Sequence, residues 1–264
     1  FVSSANGSDG NRGDDPTRAL ATIGQAQTNG VAGDGIIVDP RSSLVASVVI
    51  TKNNLTIISA AALVGGRDRA TIEPASGIPW RVTTGIGVTA IGMRFFSADA
   101  SAAASQEADG FSYIDCDFQS TSGIGLRLLP VDATYTASEG RVLGGSVRNC
   151  GSDGISLEGS ADGVGVTTSQ ILGVSFWGNT DRDIQTVPTA GSPANDVEIG
   201  HCVFHTQNKT VYITAATAGE RVRVFSSWFA VDSGRLTSTQ VALSAESVAM
   251  GLYDATGLVD TSAF

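Results

Sequence analysis

The sequence is short of charge and of lysine, and each shortage excludes a class of protein. Only 16% of the 264 residues are charged, against about 25% in an ordinary globular chain, while 42% are hydrophobic. This combination excludes intrinsic disorder, which needs high charge and low hydrophobicity. The chain has two lysines, Lys52 and Lys209, and a net charge of -10. We therefore expect neither nucleic acid nor an anionic membrane surface as a partner.

Long apolar runs, cysteine and histidine are scarce as well. No apolar run reaches the ~18 residues that a membrane-spanning helix needs, so we expect no membrane partner. The cysteines Cys116, Cys150 and Cys202 are widely spaced, which fits neither a metal site nor a disulfide framework and favours buried free thiols. His201 and His205 lie four residues apart on a predicted strand, too far to share an ion. We predict no metal and no cofactor.

What the sequence does contain is a repeat, together with 32 glycines. An aliphatic residue followed four positions later by a large apolar residue recurs five times, and a sixth segment has Gly200 in the first position. The second residues of these pairs are Phe95, Phe118, Val147, Phe176, Phe204 and Phe229. Successive pairs are about 23 to 29 residues apart, and each unit holds at least two strand-length pieces between polar turns. Such a period predicts a stacked solenoid.

Three regions follow from this repeat. Residues 1–30 are predicted to form an opening strand and a capping helix, residues 31–240 the stacked parallel coils, and residues 241–264 a C-terminal cap or final coil. The helix is predicted to begin after the N-cap Asp15, with Pro16 at its first position, and to continue to Ala26. It would cover the open end of the apolar column and the unpaired strand edges.

Alternation within the short pieces predicts which side chains face inward. Ile114, Cys116 and Phe118 are apolar, and the residues between them, Asp115 and Asp117, are acidic. On one strand, the first three would join the apolar column and the two acids would lie on the outside. A long loop is predicted over residues 97–110.

Two segments near the start resemble the first coils of right-handed parallel β-helix proteins of the pectate-lyase-like superfamily. They are DGIIVDP (residues 34–40) and VVITKNNLTII (residues 48–58), although Arg41 stands where that group usually has glycine. The closing stretches SWFAVD (227–232) and MGLYDATGLVD (250–260) are similar to the ends of β-helix structural proteins of bacteriophage particles. The resemblance implies an all-β, right-handed parallel β-helix and, for the phage proteins, association as trimers.

Enzymes of that superfamily act on polysaccharides along the outer face of the helix, which directs attention to paired acids. Hydrolysis of a glycosidic bond requires two carboxyl groups roughly 5 to 9.5 Å apart. The candidate pairs are Asp115 with Asp117, and Asp181 with Asp183. Outward acids also keep a solenoid soluble, and we favour that interpretation over catalysis. A calcium-dependent lyase would need a compact acidic cluster beside an arginine, and the sequence contains no such pattern.

One tripeptide matches a catalytic motif. Asn179-Thr180-Asp181 is similar to the first motif of polygalacturonase-like glycosidases, and Gly200-His201 follows about one coil later. The family also has an Asp-Asp pair between these elements and an Arg-x-Lys element after them, and neither is found at those places. Because Asn, Thr and Asp are common in turns, we interpret the tripeptide as a turn.

The resemblance to phage β-helix proteins, together with the absence of a strong catalytic pattern, implies a non-catalytic, homotrimeric structural protein on the exterior of a bacteriophage particle, as a head decoration, a spike or a tail-associated fibre. Its partners would be capsid or tail proteins. The alternative is a polysaccharide-binding or polysaccharide-degrading tailspike, or a secreted β-helix glycoside hydrolase or polysaccharide lyase, with a surface polysaccharide as its partner. Aromatic residues make up only 6% of the chain, which disfavours the alternative. Trp80 and Tyr135 are the candidates for stacking on a sugar.

Overall fold

Each coil of the chain contains three short strands, and equivalent strands of successive coils pair in parallel. The computed structural model describes residues 1–66, 68–132, 134–160, 162–187, 194–206, 209–231 and 236–261. Over these residues the strands form three sheets, which we name A, B and C. The predicted all-β parallel β-helix is confirmed. No helix in the described part of the chain is long and apolar enough to cross a membrane.

The three sheets run side by side along the rod. Sheet A contains β1 (Gly35–Val38), β4 (Thr56–Ser59), β7 (Thr89–Ile91), β10 (Ser112–Ile114), β13 (Arg141–Leu143), β16 (Gln170–Leu172), β19 (Asn195–Gly200), β22 (Arg221–Phe225) and β25 (Val248–Met250). Sheet B contains β2 (Ser43–Leu44), β5 (Thr71–Ile72), β8 (Arg94–Ser97), β11 (Asp117–Ser120), β14 (Ser146–Arg148), β17 (Ser175–Trp177), β20 (Val203–Phe204), β23 (Trp228–Phe229), β26 (Tyr253–Asp254) and β27 (Gly257–Leu258). Sheet C contains β3 (Val48–Ile50), β6 (Trp80–Val82), β9 (Ala104–Gln106), β12 (Leu126–Leu128), β15 (Ile155–Glu158), β18 (Ile184–Val187), β21 (Ile213–Ala215) and β24 (Val241–Leu243).

The corner from sheet A to sheet B is two residues long in seven successive coils, and its first residue has a positive φ. These corner residues are Gly92, Asp115, Gly144, Gly173, His201, Ser226 and Gly251. A left-handed residue turns the chain sharply enough to start a strand in the next sheet. Consequently the segment from Ile114 to Phe118, which the sequence analysis treated as one strand, is the end of β10 and the start of β11. That prediction was wrong for Ile114, because its neighbour Tyr113 faces the core and Ile114 lies half-buried on the outside.

The inner row of sheet B forms the centre of the core. It consists of Leu44, Ile72, Phe95, Phe118, Val147, Phe176, Phe204 and Phe229, all buried and in register. The six residues that carry the sequence repeat all belong to this row, so the period marks one strand position per coil. Rings in adjacent coils stack, as Phe204 does on Phe229 with centroids 4.4 Å apart. The three cysteines are buried free thiols, and burial raises the pKa of each to about 12.

The predicted capping helix is divided in two. A 3₁₀ turn (Pro16–Arg18) follows Asp15, and a separate helix α1 (Ile23–Asn29) begins after Thr22, whose hydroxyl oxygen accepts from Gln25 N at 3.1 Å. Leu20 interrupts the helix because it pairs with Val2 as an isolated bridge. Tertiary pairing of the opening strand therefore overrides local helix propensity. Helix α1 lies against β1 and β3, and a short second helix α2 (Ala60–Leu63) follows β4.

Protonation of Asp15 is expected to release the 3₁₀ turn. Hydrogen bonds from Thr17 and Arg18 lower the pKa of Asp15 from 3.8 to about 2. A depressed folded-state pKa means that the contribution is present above about pH 4 and is lost as the pH falls toward 2. In an NMR titration, the amide shifts of Thr17 and Arg18 should move with a midpoint near pH 2. A midpoint near 3.8 would contradict the cap, and Asp15→Asn should abolish the transition.

One further stretch differs from its prediction. Residues 97–110 were predicted as a loop, yet they contain β9, in which Ser105 and Gln106 are buried. The strand was missed because alanine and serine give no apolar alternation. At the far end, β27 pairs antiparallel with β26, and Leu252 and Val259 are buried beneath this hairpin.

Candidate functional site

The acids Asp115 and Asp117 are brought together by an arginine, not by a shared strand. Asp115 is the corner residue between β10 and β11, and Asp117 is the first residue of β11. Arg69 spans both, with Nη2 2.7 Å from Asp115 Oδ1 and Nε 3.4 Å from Asp117 Oδ2. Asp117 also lies 3.7 Å from Arg94 Nη2 and accepts from Ser146 Oγ at 2.7 Å. The two carboxylates are engaged in ion pairs, and they do not face an open cleft as a free pair.

The acids Asp181 and Asp183 face in opposite directions. Asp181 lies exposed on the turn after β17, where it accepts from Ser152 Oγ at 3.2 Å. Asp183 has no exposed surface. One substrate molecule could not contact both carboxyl groups, so the structure does not assemble this pair.

Asp183 belongs instead to a buried polar group that we name the Lys209 cluster, consisting of Asn179, Asp183 and Lys209. Their exposed fractions are 3%, 0% and 7%. Asp183 Oδ1 accepts from Asn179 Nδ2 at 2.8 Å and from Lys209 Nζ at 3.0 Å, and Nζ also donates to the backbone oxygen of Asn179 at 2.9 Å. Asp183 Oδ2 is buried with no hydrogen-bond partner among the described residues. Burial raises the pKa of Asp183, and nearby Lys209 opposes that rise.

The tripeptide that resembles a glycosidase motif lies partly inside this cluster. Asn179 Oδ1 accepts from the backbone N–H of Cys150 at 3.2 Å, and its Nδ2 also donates to the Val147 oxygen at 3.2 Å. The amide is thus fully used in holding neighbouring coils together. His201 lies outside this cluster. It is exposed at the corner between sheets A and B, where its ring is edge-on to that of Phe225 with the two centroids 5.4 Å apart.

The outer face of sheet C carries a polar ladder. Arg81 forms a two-point ion pair with Glu107, at 2.6 and 3.1 Å, and Arg127 forms another with Glu158, at 2.7 Å for both contacts. Such bidentate pairs fix the orientation of the guanidinium plane relative to the carboxylate plane and give both carboxylate oxygens a hydrogen-bond donor. These glutamates are therefore held in structural pairs. Within the described residues, no group of three or more His, Cys, Asp or Glu is placed to hold a metal ion.

The outer face of sheet B carries exposed aromatic side chains toward the C-terminal end. Trp177, Trp228 and Tyr253 are 40%, 38% and 46% exposed. Arg148 lies over the Trp177 ring at 5.3 Å, and the His205 ring is 6.3 Å from that of Trp228. The strands β14, β17, β20 and β23 of this face contain no Asp or Glu. Sequence analysis missed this group because the tryptophans adjoin inner phenylalanines and appeared to belong to the core.

The predicted sugar-stacking residues are placed elsewhere. Trp80 is fully buried, and its Nε1 donates to the Tyr113 hydroxyl at 3.1 Å, which in turn donates to Gln106 Oε1 at 2.9 Å. The prediction that Trp80 is available to a sugar is therefore wrong. Tyr135 is partly buried against the core.

Sheet A carries an apolar row on its outside, which we name the outer aliphatic row. Its members, one per strand and in register, are Ile37, Ile58, Ile91, Ile114, Leu143, Leu172, Gly200, Phe225 and Met250. All but the buried Gly200 are half-buried or exposed, and Met250 is 47% exposed. Because parallel strands lie about 4.8 Å apart, the row is roughly 40 Å long.

Comparison with known proteins identifies a similar fold and nothing more specific. No family model and no curated protein matches this sequence. Among solved structures, the crystal structure of pectate lyase Pel9A matches with a TM-score of 0.55 and 13% identity, over 99% of this chain and 81% of that one. A shared fold at such low identity carries no activity with it. The chain is therefore a parallel β-helix similar to that of a pectate lyase.

Proposed function

We propose that this protein is a non-catalytic, homotrimeric structural protein on the exterior of a bacteriophage particle, serving as a head decoration, a spike or a tail-associated fibre. Its partners are then two further copies of itself and the capsid or tail proteins to which the trimer attaches. The observation that carries this proposal is the outer aliphatic row, which extends along the whole of sheet A.

A long apolar row on the outside of a rod favours burial against a neighbour. Single exposed leucines or isoleucines are ordinary, whereas contiguous apolar surface marks an interaction site. The strands β1, β4, β7 and β10 contain no charged residue, and their second outward position holds Gly35, Thr56, Thr89 and Ser112. Such a face can pack closely against the same face of another copy. Threefold closure would bury all three rows and stop further growth.

The candidate acids support a structural role because three of the four are held in ion pairs. Asp115 and Asp117 pair with Arg69, and Asp183 pairs with Lys209. Among the described residues, no ion pair forms at Asp181, which accepts from Ser152 Oγ at 3.2 Å. A single free carboxyl group does not suffice for glycoside hydrolysis in its usual form, which needs two.

The trimer is tested by size-exclusion chromatography with light scattering. The wild-type chain should elute with three times its mass of 27.0 kDa. Ile91→Lys, on β7 in the uncharged part of the outer aliphatic row, should convert most of the protein to monomer, because three like charges would meet in an apolar interface. Thr214→Lys, on the outer side of β21 in sheet C, is the matched control and should remain trimeric.

A monomeric wild-type chain would overturn the trimer, and equal behaviour of the two lysine variants would remove the outer aliphatic row as its interface. The position in the particle needs a separate measurement. Antibodies against the chain should label the outside of intact phage particles in electron micrographs, and an absence of the chain from purified particles would contradict the proposal.

The second candidate function is polysaccharide binding, favoured by the aromatic face of sheet B. Flat, exposed rings such as Trp177, Trp228 and Tyr253 can stack on apolar faces of sugars while Arg148 attracts an anionic group. The same chromatography decides between the two. A monomer that binds acidic or neutral glycans, or releases oligosaccharides from them, would replace the structural proposal with this one.

A further inference from the structure

The Lys209 cluster places an amine, a primary amide and a carboxyl group together in the buried interior. Nζ of Lys209 and Nδ2 of Asn179 both donate to one oxygen, Oδ1 of Asp183, at 3.0 and 2.8 Å. One carboxylate oxygen therefore stands between a nucleophile and a leaving group. The hydrogen bond from Nζ to the backbone oxygen of Asn179, at 2.9 Å, keeps the amine beside that residue.

The carbonyl group of the same amide is already polarised. The backbone N–H of Cys150 donates to Asn179 Oδ1 at 3.2 Å. A fixed backbone donor of this kind stabilises the negative charge that develops on oxygen when a nucleophile attacks a carbonyl carbon. Water, the competing nucleophile, has little access because all four residues are buried.

We propose that Lys209 Nζ forms an intramolecular isopeptide bond with the side-chain carbonyl carbon of Asn179, and that Asp183 transfers the protons this requires. Lys209 is the nucleophile, Asn179 the electrophile and Asp183 the general base and then the general acid. The bond joins the turn after β17 to the segment between β20 and β21, which belong to neighbouring coils.

The reaction balances without an added reagent. Asp183 accepts a proton from the Lys209 ammonium group, and the Nζ lone pair attacks Cγ of Asn179. As the tetrahedral intermediate collapses, Asp183 moves a proton from Nζ to Nδ2, the Cγ–Nδ2 bond breaks, and ammonia leaves. An amine and a primary amide become a secondary amide and ammonia, with no oxidation or reduction.

Burial gives this reaction its driving force. An ion pair inside a protein incurs a large desolvation penalty, and Asp183 Oδ2 lacks a hydrogen-bond partner in the described residues. The bond removes the lysine charge permanently. Burial raises the pKa of Asp183, and losing the lysine charge would remove an interaction that lowers it.

Mass spectrometry of the purified full chain tests the proposal. The intact denatured protein should be lighter than its sequence by one ammonia. Trypsin should then release residues 149–182 joined to residues 183–221 through Asn179 and Lys209, with no cleavage after Lys209. An unlinked chain would instead give residues 183–209 and 210–221 as separate peptides.

Three results would each overturn the proposal: a mass equal to the sequence, a loss of ammonia without joined peptides, or a loss of water with Lys209 joined to Asp183. The first means no bond, the second means cyclisation of an asparagine, and the third makes Asp183 the electrophile. Asp183→Asn, which keeps the side-chain shape but cannot move the proton, should retain its full mass. Lys52→Arg, at the other lysine, should still lose ammonia.

Discussion

Phe204→Ala is expected to lower the free energy of unfolding by about 3–5 kcal/mol, the range for removing a fully buried phenylalanine. The ring is sandwiched between Phe176, 4.9 Å away and 7° from parallel, and Phe229, 4.4 Å away and 3° from parallel. Its loss leaves a void between two coils and exposes both stacked faces. Urea unfolding followed by circular dichroism, at one fixed protein concentration, measures the change.

Trp177→Ala is the matched control for that experiment. Trp177 lies on β17, beside β20, but points outward and is 40% exposed. Its replacement removes a contact with Arg148 and is expected to change stability by less than about 1 kcal/mol. If Phe204→Ala cost no more than Trp177→Ala, the phenylalanines could not form the stacked column.

Gly145→Ala is expected to cost about 3 kcal/mol or more, because two effects add at this position. The residue has a φ of 76°, which L-residues with a Cβ rarely adopt, and an added Cβ would lie 2.0 Å from the backbone oxygen of Cys116. That oxygen belongs to the equivalent corner of the preceding coil and accepts the ladder bond from Ser146 N. Neither coil can move away without breaking the pairing.

The neighbouring Gly144 separates the two effects. It also has a positive φ, 66°, yet an added Cβ there would meet nothing within 4 Å. Gly144→Ala should therefore cost only the conformational strain, about 1–2 kcal/mol. Thermal or urea unfolding of both variants gives the comparison. Equal losses at the two positions would mean that the coils are not in close contact at this corner.

The repeat in the sequence predicted the fold because it marks a position in each coil that must remain apolar. Phe95, Phe118, Phe176, Phe204 and Phe229 occupy the same inward place in successive coils, and each must fill the space above its neighbour. A missing aromatic ring, as at Val147, is tolerated, but a polar residue would be buried without a partner. The period therefore survives even though loop lengths change from coil to coil.

The corners could not be predicted in the same way. Glycine, aspartate, histidine and serine all occur there with a positive φ, so no residue type marks the position. Missing the corner at Asp115 placed Ile114 on the wrong side of the sheet and Asp115 on a strand with Asp117. Sequence analysis missed the outer aliphatic row for the same reason, because without the corners its isoleucines were assigned to the core.

The Lys209 cluster could be predicted only in part. Asp183 was a candidate acid, Asn179 belonged to a recognised tripeptide, and Lys209 is one of two lysines. Each residue type is ordinary in an exposed turn, and nothing local indicates that the turn after β17 folds inward. Their meeting depends on the pairing of β18 with β21, a contact between different coils.

The register of the ladders has a consequence for how such a chain grows and shrinks in evolution. Leu143 and Leu172 are direct partners in adjacent strands, and the corners that follow them, Gly144 and Gly173, have nearly equal φ values of 66° and 68°. The segment between these points is one interchangeable module. Duplicating or excising such a module would change the length of the molecule and leave the remaining strand pairing intact, because each of these strands pairs only with its equivalents in the two adjacent coils.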